Sequence, residues 1–380
     1  MRVLIVRLGA LGDVVHTIPV AAALRRRFPD AAVDWVIDER HAALLELVPG
    51  LDRRLVLRTR GRSAPAAWWT LRRALREVRY DVALDVQGLA KSALAARLSG
   101  ARRVIGFPAP LLREGWARWL YTETAGAGRP GHVVDRNLGI LGAFGAAEGG
   151  WTFPLRAAAS PAVDALRRRL GPRGGGPVVI NPNAAWPAKR WPAARYGAVA
   201  AHVGRAYGRP CVVIWGPGEE ARAAAVVAAS GGAAVPAPPT GLVELAALLQ
   251  AGALLVSGDT GPLHLAAALG TPVVGLYGPS DPVRNGPWSP DDEVVSAFPD
   301  CACAARRAGA GRAVHMVRRC RARTACLDAV SVEQVCAAVD RRLRRIDRDP
   351  DSAGATRPGV GRSVPERRRT DRRSDSAGGS

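Results

Sequence analysis

Short β-branched runs that end in a glycine or an aspartate, each followed by a helical stretch, recur along most of the chain. This alternation limits the possible folds more than any other feature. Arg2–Arg7, Val33–Ile37, Arg54–Leu57, Val82–Asp85 and Arg103–Gly106 read as strands. Helices are expected between them at Val14–Phe28, His41–Val48, Ala66–Val78 and Gly88–Leu98. Strands alternating with helices require a parallel sheet covered on both faces. Glycine-dense stretches at Gly142–Gly150 and Gly171–Pro177 then interrupt the pattern. It restarts with strands at Val178–Ile180, Cys211–Trp215, Ala253–Ser257 and Val273–Tyr277, and helices at Ala193–Tyr207, Glu219–Ala229, Leu242–Gln250 and Pro262–Leu269. A chain of 380 residues exceeds one ordinary hydrophobic core. The expected layout is therefore a doubly wound α/β domain over 1–150, a linker over 151–177 and a second such domain over 178–346. Ser331–Ile346 closes the core as a helix that Ser331 caps and Gln334 completes as a capping box. The tail, 347–380, has almost nothing to bury and should be disordered.

The formal charge of +21 points to an anionic partner. That partner could be nucleic acid, a phospholipid surface or a phosphorylated substrate. Seven arginines and no acid lie between Cys301 and Arg323, which makes Arg306–Arg323 the stretch expected to sit near an anionic surface. The run Val3–Val6 is too short for a signal sequence, and no uninterrupted apolar stretch is long enough to span a bilayer. Six cysteines in a chain this long form no disulfide framework. Cys301, Cys303, Cys320 and Cys326 cluster, but their spacing matches no standard zinc site. The only D-x-D spacings lie in the tail, so no metal and no cofactor is expected.

Of 54 basic residues only Lys91 and Lys189 are lysine. In so biased a chain a retained lysine suggests that a compact, flexible ammonium is wanted. Lys189 follows the strand Val178–Ile180 in the loop Asn181–Pro192, the position at which open α/β sheets bind ligands. The first strand runs into Arg7-Leu-Gly-Ala-Leu-Gly-Asp-Val-Val-His16, where Gly9 and Gly12 allow a sharp turn and close approach. Asp13 falls at the start of the next helix, where it could favour the helix dipole or act on a substrate. In the second half, Ser257-Gly-Asp259-Thr-Gly-Pro-Leu-His264 carries a strand end into a helix with Pro262 in its first turn. Free amides and the Thr260 hydroxyl there suit a phosphate.

Gly-Asp-x-x-His after the first strand, Lys-Arg-Trp-Pro at 189–192 and Asp-Thr-Gly-x-x-His-Leu-Ala-Ala-Ala at 259–268 together resemble glycosyltransferase family 9, the lipopolysaccharide heptosyltransferases. The stretches Tyr80–Ser92, His132–Asn137, Trp215–Glu219 and Gly278–Pro282 add to the likeness, which extends over about Met1–Ile346 and is closer to type I than to type II enzymes. The resemblance implies a GT-B fold, with the first domain binding the acceptor and the second the nucleotide-sugar. It implies an inverting, metal-independent transfer of heptose from ADP-heptose to the lipopolysaccharide inner core, in the region of Kdo and lipid A. Asp13 would be the general base, and Lys189 would bind the donor diphosphate and offset charge on departing ADP. Glu219, Thr240, Asp259, Thr260, Gly261 and His264 match donor-binding positions. Gly12, His16, Arg58, Arg60, Arg62 and Arg113 are the acceptor-side candidates. Ala184 and Ala185 stand where some members have hydroxyl residues ahead of the lysine. The expected enzyme is a cytoplasmic monomer, peripheral on the inner face of the inner membrane, with no nucleic-acid partner. Another nucleotide-sugar or a different glycan acceptor is the alternative within the family. A dinucleotide enzyme is disfavoured by the missing G-x-G-x-x-G. A nucleic-acid-binding protein would explain the charge but not the paired strand–loop–helix motifs.

Overall fold

The structure is a computed structural model and describes residues 1–58, 61, 63–126, 131–145, 150–171, 175–301 and 326–349. Two six-stranded sheets, parallel throughout, form its framework. The first comprises β1 (Arg2–Val6), β2 (Ala32–Asp38), β3 (Arg53–Leu57), β4 (Val82–Asp85), β5 (Arg103–Gly106) and β6 (Glu123–Thr124), in spatial order 3-2-1-4-5-6. The second comprises β7 (Val178–Asn181), β8 (Cys211–Val213), β9 (Ala234–Pro236), β10 (Leu254–Gly258), β11 (Val273–Tyr277) and β12 (Glu293–Ser296), in order 12-11-10-7-8-9.

Alternate side chains along a strand point to opposite faces, so each strand feeds two cores. Val3 and Ile5 enter a large cluster that also holds Val179, Leu255, Leu263 and Leu265 of the second half. Leu4 and Val6 turn instead toward α3 (Ala64–Arg76) and α4 (Ala90–Leu98), through Leu71, Leu75, Ala95 and Ala96. On the far side of the second sheet, Val178, Ile180, Leu254 and Val256 pack with residues of α7 (Ala193–Tyr207), α8 (Glu220–Ala229) and α12 (Val332–Arg348). The cluster shared by both halves holds them together along a seam.

Several elements differ from expectation. In place of one helix over Val14–Phe28 there are two, α1 (Leu11–Val15) and α2 (Ile18–Arg27). Pro19 has no N–H for the Val15 carbonyl, so the helix restarts with proline in its first turn. His41–Val48 is a 3-10 segment, Glu39–Leu47, whose first turn is bonded to the Asp38 side chain. The expected linker contains α6 (Pro161–Leu170), which buries Val163 and Leu166 and packs on α9 (Leu242–Ala251). Cys301 and Cys326 approach with sulfurs 3.5 Å apart. Cys303, Cys320, Arg306–Arg323 and the tail from 350 onward lie outside the described residues.

The capping box expected at the last helix is present. Gln334 N donates to Ser331 Oγ at 3.2 Å and Ser331 N to Gln334 Oε1 at 2.9 Å. Replacing Ser331 with alanine removes one partner and should lower unfolding stability by about 1 kcal/mol in urea titration. An unchanged midpoint would mean the cap contributes nothing to this helix.

Candidate active site

In an open parallel sheet, ligands bind beyond the carboxyl ends of the strands where the winding reverses. The reversal in the first sheet lies between β1 and β4, and Asp13 follows β1. The reversal in the second lies between β7 and β10; Lys189 follows β7, and Asp259 to His264 follow β10. Both switch points open toward the seam, where α1 packs on α10 (Gly261–Ala268).

On the second half, the Lys189 ammonium meets Asp259 Oδ2 at 2.5 Å and the Asp259 carbonyl at 3.1 Å. The other Asp259 oxygen contacts His264 Nε2 at 3.0 Å. Burial pushes the Asp259 carboxyl up, but the Lys189 charge and the His264 contact outweigh it and hold the group well below the usual carboxylate range. Asn181 Nδ2 bridges to Ser257 Oγ at 3.0 Å and to Thr260 Oγ1 at 2.9 Å, fixing the loop between them. Glu219 accepts from Gly216 N at 3.0 Å just past β8, and half-buried Thr240 lies just past β9. The donor-side candidates thus follow four neighbouring strand ends.

On the first half, the loop after β1 is tied down at every step. Leu8 N donates to Gln87 Oε1 at 2.7 Å, and Asp38 N donates to the Leu8 carbonyl at 3.1 Å. Arg7 Nη2 lies 2.9 Å from Asp13 Oδ1, leaving the Asp13 carboxylate partly open to the cleft at 38% side-chain exposure. Two further arginines share this space and were not singled out from sequence. Arg136 comes from α5 (Val133–Leu138) and Arg284 from α11 (Pro282–Asn285). Burial pushes the guanidinium of Arg136 down to about 10 and that of Arg284 down as well; the Asp13 carboxylate acts in the opposite sense on both. Three guanidiniums and one carboxylate leave a surplus of positive charge suited to an acidic group.

Gly12 lies at the closest approach of the halves: a Cβ there would stand 2.5 Å from His264 Cδ2. A Cβ on Gly261 would meet Leu11 at 2.6 Å. His16, expected at the acceptor, lies at the seam between His264 and His132. Its ring is 2% exposed, packs 4.3 Å from His264 and 5.5 Å from His132, and has no hydrogen-bond partner on either nitrogen. Burial and the neighbouring histidines keep it neutral well below its usual range. Arg58, just past β3, and Arg113, after the turn that follows β5, are exposed, while Arg60 and Arg62 lie outside the described residues.

Residues 68–310 match the family model "Glycosyltransferase family 9 (heptosyltransferase)". The chain is 30% identical to lipopolysaccharide heptosyltransferase 1 of Pseudomonas aeruginosa over 80% of its own length and 86% of that protein. It is 32% identical to lipopolysaccharide heptosyltransferase 1 of Escherichia coli K12 over 78% of its length and 94% of that protein. Among solved structures, E. coli heptosyltransferase WaaC with ADP superposes with a TM-score of 0.71 at 24% identity, covering 90% of this chain and all of that one. The facing pair of doubly wound domains is the GT-B arrangement.

His132 makes the seam sensitive to acid. Its Nδ1 accepts from Val134 N at 3.2 Å, and its Nε2 donates to the Gly286 carbonyl across the seam at 2.9 Å. The bond that Nδ1 accepts needs the neutral ring, and burial, outweighing the Gly286 contact, lowers the pKa from 6.5 to about 4. The unfolded chain therefore takes up more protons in that window, and stability falls as pH drops through it. Between pH 7 and 4 the wild type should lose about 2–3 kcal/mol more than His132→Asn in urea unfolding. Equal losses would show that His132 does not titrate differently in the fold.

Proposed function

The chain belongs to glycosyltransferase family 9 (heptosyltransferase), and from that premise we propose that it transfers heptose from ADP-heptose to the acidic inner core of lipopolysaccharide, with inversion at the anomeric carbon. The observation that carries this reading is the opposition of Asp13 to the Lys189–Asp259–His264 cluster across one seam. A base is needed on one side of the anomeric carbon and leaving-group stabilisation on the other.

Asp13 takes the proton from the acceptor hydroxyl as that oxygen attacks, and the bond to ADP breaks on the opposite face. Arg7 holds one Asp13 oxygen, leaving the carboxylate oriented for this role. The Lys189 ammonium shares itself between Asp259 and the diphosphate, and offsets the charge that grows on the leaving phosphate. Thr260 and Gly261, where α10 begins, receive the same diphosphate, while Glu219 and Thr240 line the nucleoside further along the sheet. Arg7, Arg136 and Arg284 receive the acid group of the acceptor beside the attacking hydroxyl. Arg284 comes from the donor domain, so acceptor binding favours the closed seam. The enzyme works as a monomer at the cytoplasmic face of the inner membrane, where its +21 charge favours an anionic surface.

Asp13→Asn should lower turnover by about a hundredfold or more, with donor affinity little changed. Near-normal turnover would reduce Asp13 to a helix-terminal acid. Arg284→Met should raise KM for a soluble acidic acceptor by about tenfold while ADP affinity stays the same. A loss confined to ADP binding would move Arg284 to the donor side.

A further inference from the structure

Ten tryptophans occur in the chain, and the three that are exposed are Trp69, Trp116 and Trp119, at 61%, 57% and 75%. Trp69 is carried by α3, and Trp116 and Trp119 by the 3-10 turn Gly115–Leu120; both elements pack on α4 of the first domain. Two bonds lock these pieces side by side: Arg76 Nε donates to the Leu98 carbonyl at 3.0 Å, and Ala90 N donates to Glu114 Oε2 at 2.7 Å. Leu94, in the middle of α4, is also exposed.

Cations outnumber acids on these elements. On α3, Trp69, Arg72, Arg73 and Arg76 recur at helical spacing opposite the buried Ala67, Leu71 and Leu75, and line a shallow hollow with Glu77. On α4, exposed Lys91 and Arg97 flank Leu94 one turn away on either side. Trp116 and Trp119 stand three residues apart, and so on one face of a 3-10 turn. The Arg118 guanidinium lies 4.1 Å from the Trp119 ring, and that of Arg73 lies 6.0 Å from the Trp69 ring. Of the two acids nearby, Glu114 already accepts from Ala90 N.

Indole rings beside arginines, presented outward by rigid elements, match the boundary between lipid headgroups and acyl chains. A second copy of the chain fits poorly, because a two-fold contact would set arginines against arginines. Burial, then Arg40 and more weakly Lys91 of α4, disfavour the charged ring of His41, and a Cβ on Gly9, in the loop that leads to Asp13, would stand 2.9 Å from that ring.

We propose that the α3, α4 and Gly115–Leu120 face is the membrane-docking surface, seating Trp69, Trp116 and Trp119 in an anionic leaflet with the Asp13 cleft at its rim. The proposal rests on the reading above that the acceptor is membrane-bound, and assigns the contact to this face instead of the Arg306–Arg323 stretch. The test is flotation of the full chain with vesicles of phosphatidylethanolamine and phosphatidylglycerol, against vesicles of phosphatidylcholine alone. Two variants are compared with wild type: Trp69→Ser/Trp116→Ser/Trp119→Ser, and Arg72→Glu/Arg73→Glu. Each should weaken anionic-vesicle binding by about tenfold or more and leave turnover on an acceptor without acyl chains unchanged. Wild-type binding in both variants would overturn the proposal. So would a wild-type dimer in light scattering that the tryptophan variant disperses. If vesicle binding is lost as expected but wild type transfers no sugar to the short acceptor, the docking face stands and the functional reading falls.

Discussion

Asp259 is the residue on which the site depends. Its carboxylate is buried, with one oxygen on the Lys189 ammonium and the other on His264. A buried ion pair gains little over an apolar pair of similar shape, but breaking one leaves an uncompensated charge and costs several kcal/mol. The arrangement therefore serves position more than stability. It draws the loop after β7 onto the end of β10, and it sets the His264 ring against Gly12 and His16 of the other half. One carboxylate thus connects Lys189 to the loop that carries Asp13.

The scarcity of lysine fits this geometry. Lys189 Nζ bonds to a backbone carbonyl and a carboxylate oxygen of the same residue, with a side chain only 14% exposed. A small ammonium with rotatable donors fits that gap, whereas the planar guanidinium is wider and fixed in shape. Elsewhere arginine suffices, as at Arg222, which spans the Pro182 and Trp191 carbonyls at 2.9 and 2.7 Å.

Much of the fold was legible because strand alternation and helix signals agree. Val3 to Val6 divide between two cores as period-two patterning requires, and Ser331 with Gln334 marks a helix start. Pro19 was the missed signal within the expected long helix. Ala234–Pro236 and Glu293–Ser296 are too short to show a strand pattern of their own. The opposition of Asp13, Lys189 and Asp259 could be anticipated because each follows a strand, and parallel strands share one carboxyl edge. Arg7, Arg136 and Arg284 could not be, since 52 arginines give no contrast and only tertiary packing sets Arg7 on the Asp13 carboxylate and the other two within reach of its charge. The inward turn of His16 was hidden for the same reason: it depends on His132 and His264, remote in sequence.

The central claim is that one cleft aligns an acceptor hydroxyl at Asp13 with a nucleotide-bound sugar at Lys189. Its most direct measurement is transfer from ADP-heptose to a short Kdo-bearing acceptor, with ADP counted and the new linkage read by NMR. The account predicts one ADP for each sugar transferred and an anomeric configuration inverted from that of the donor. Retention of configuration, or turnover with another nucleotide-sugar and none with ADP-heptose, would contradict it.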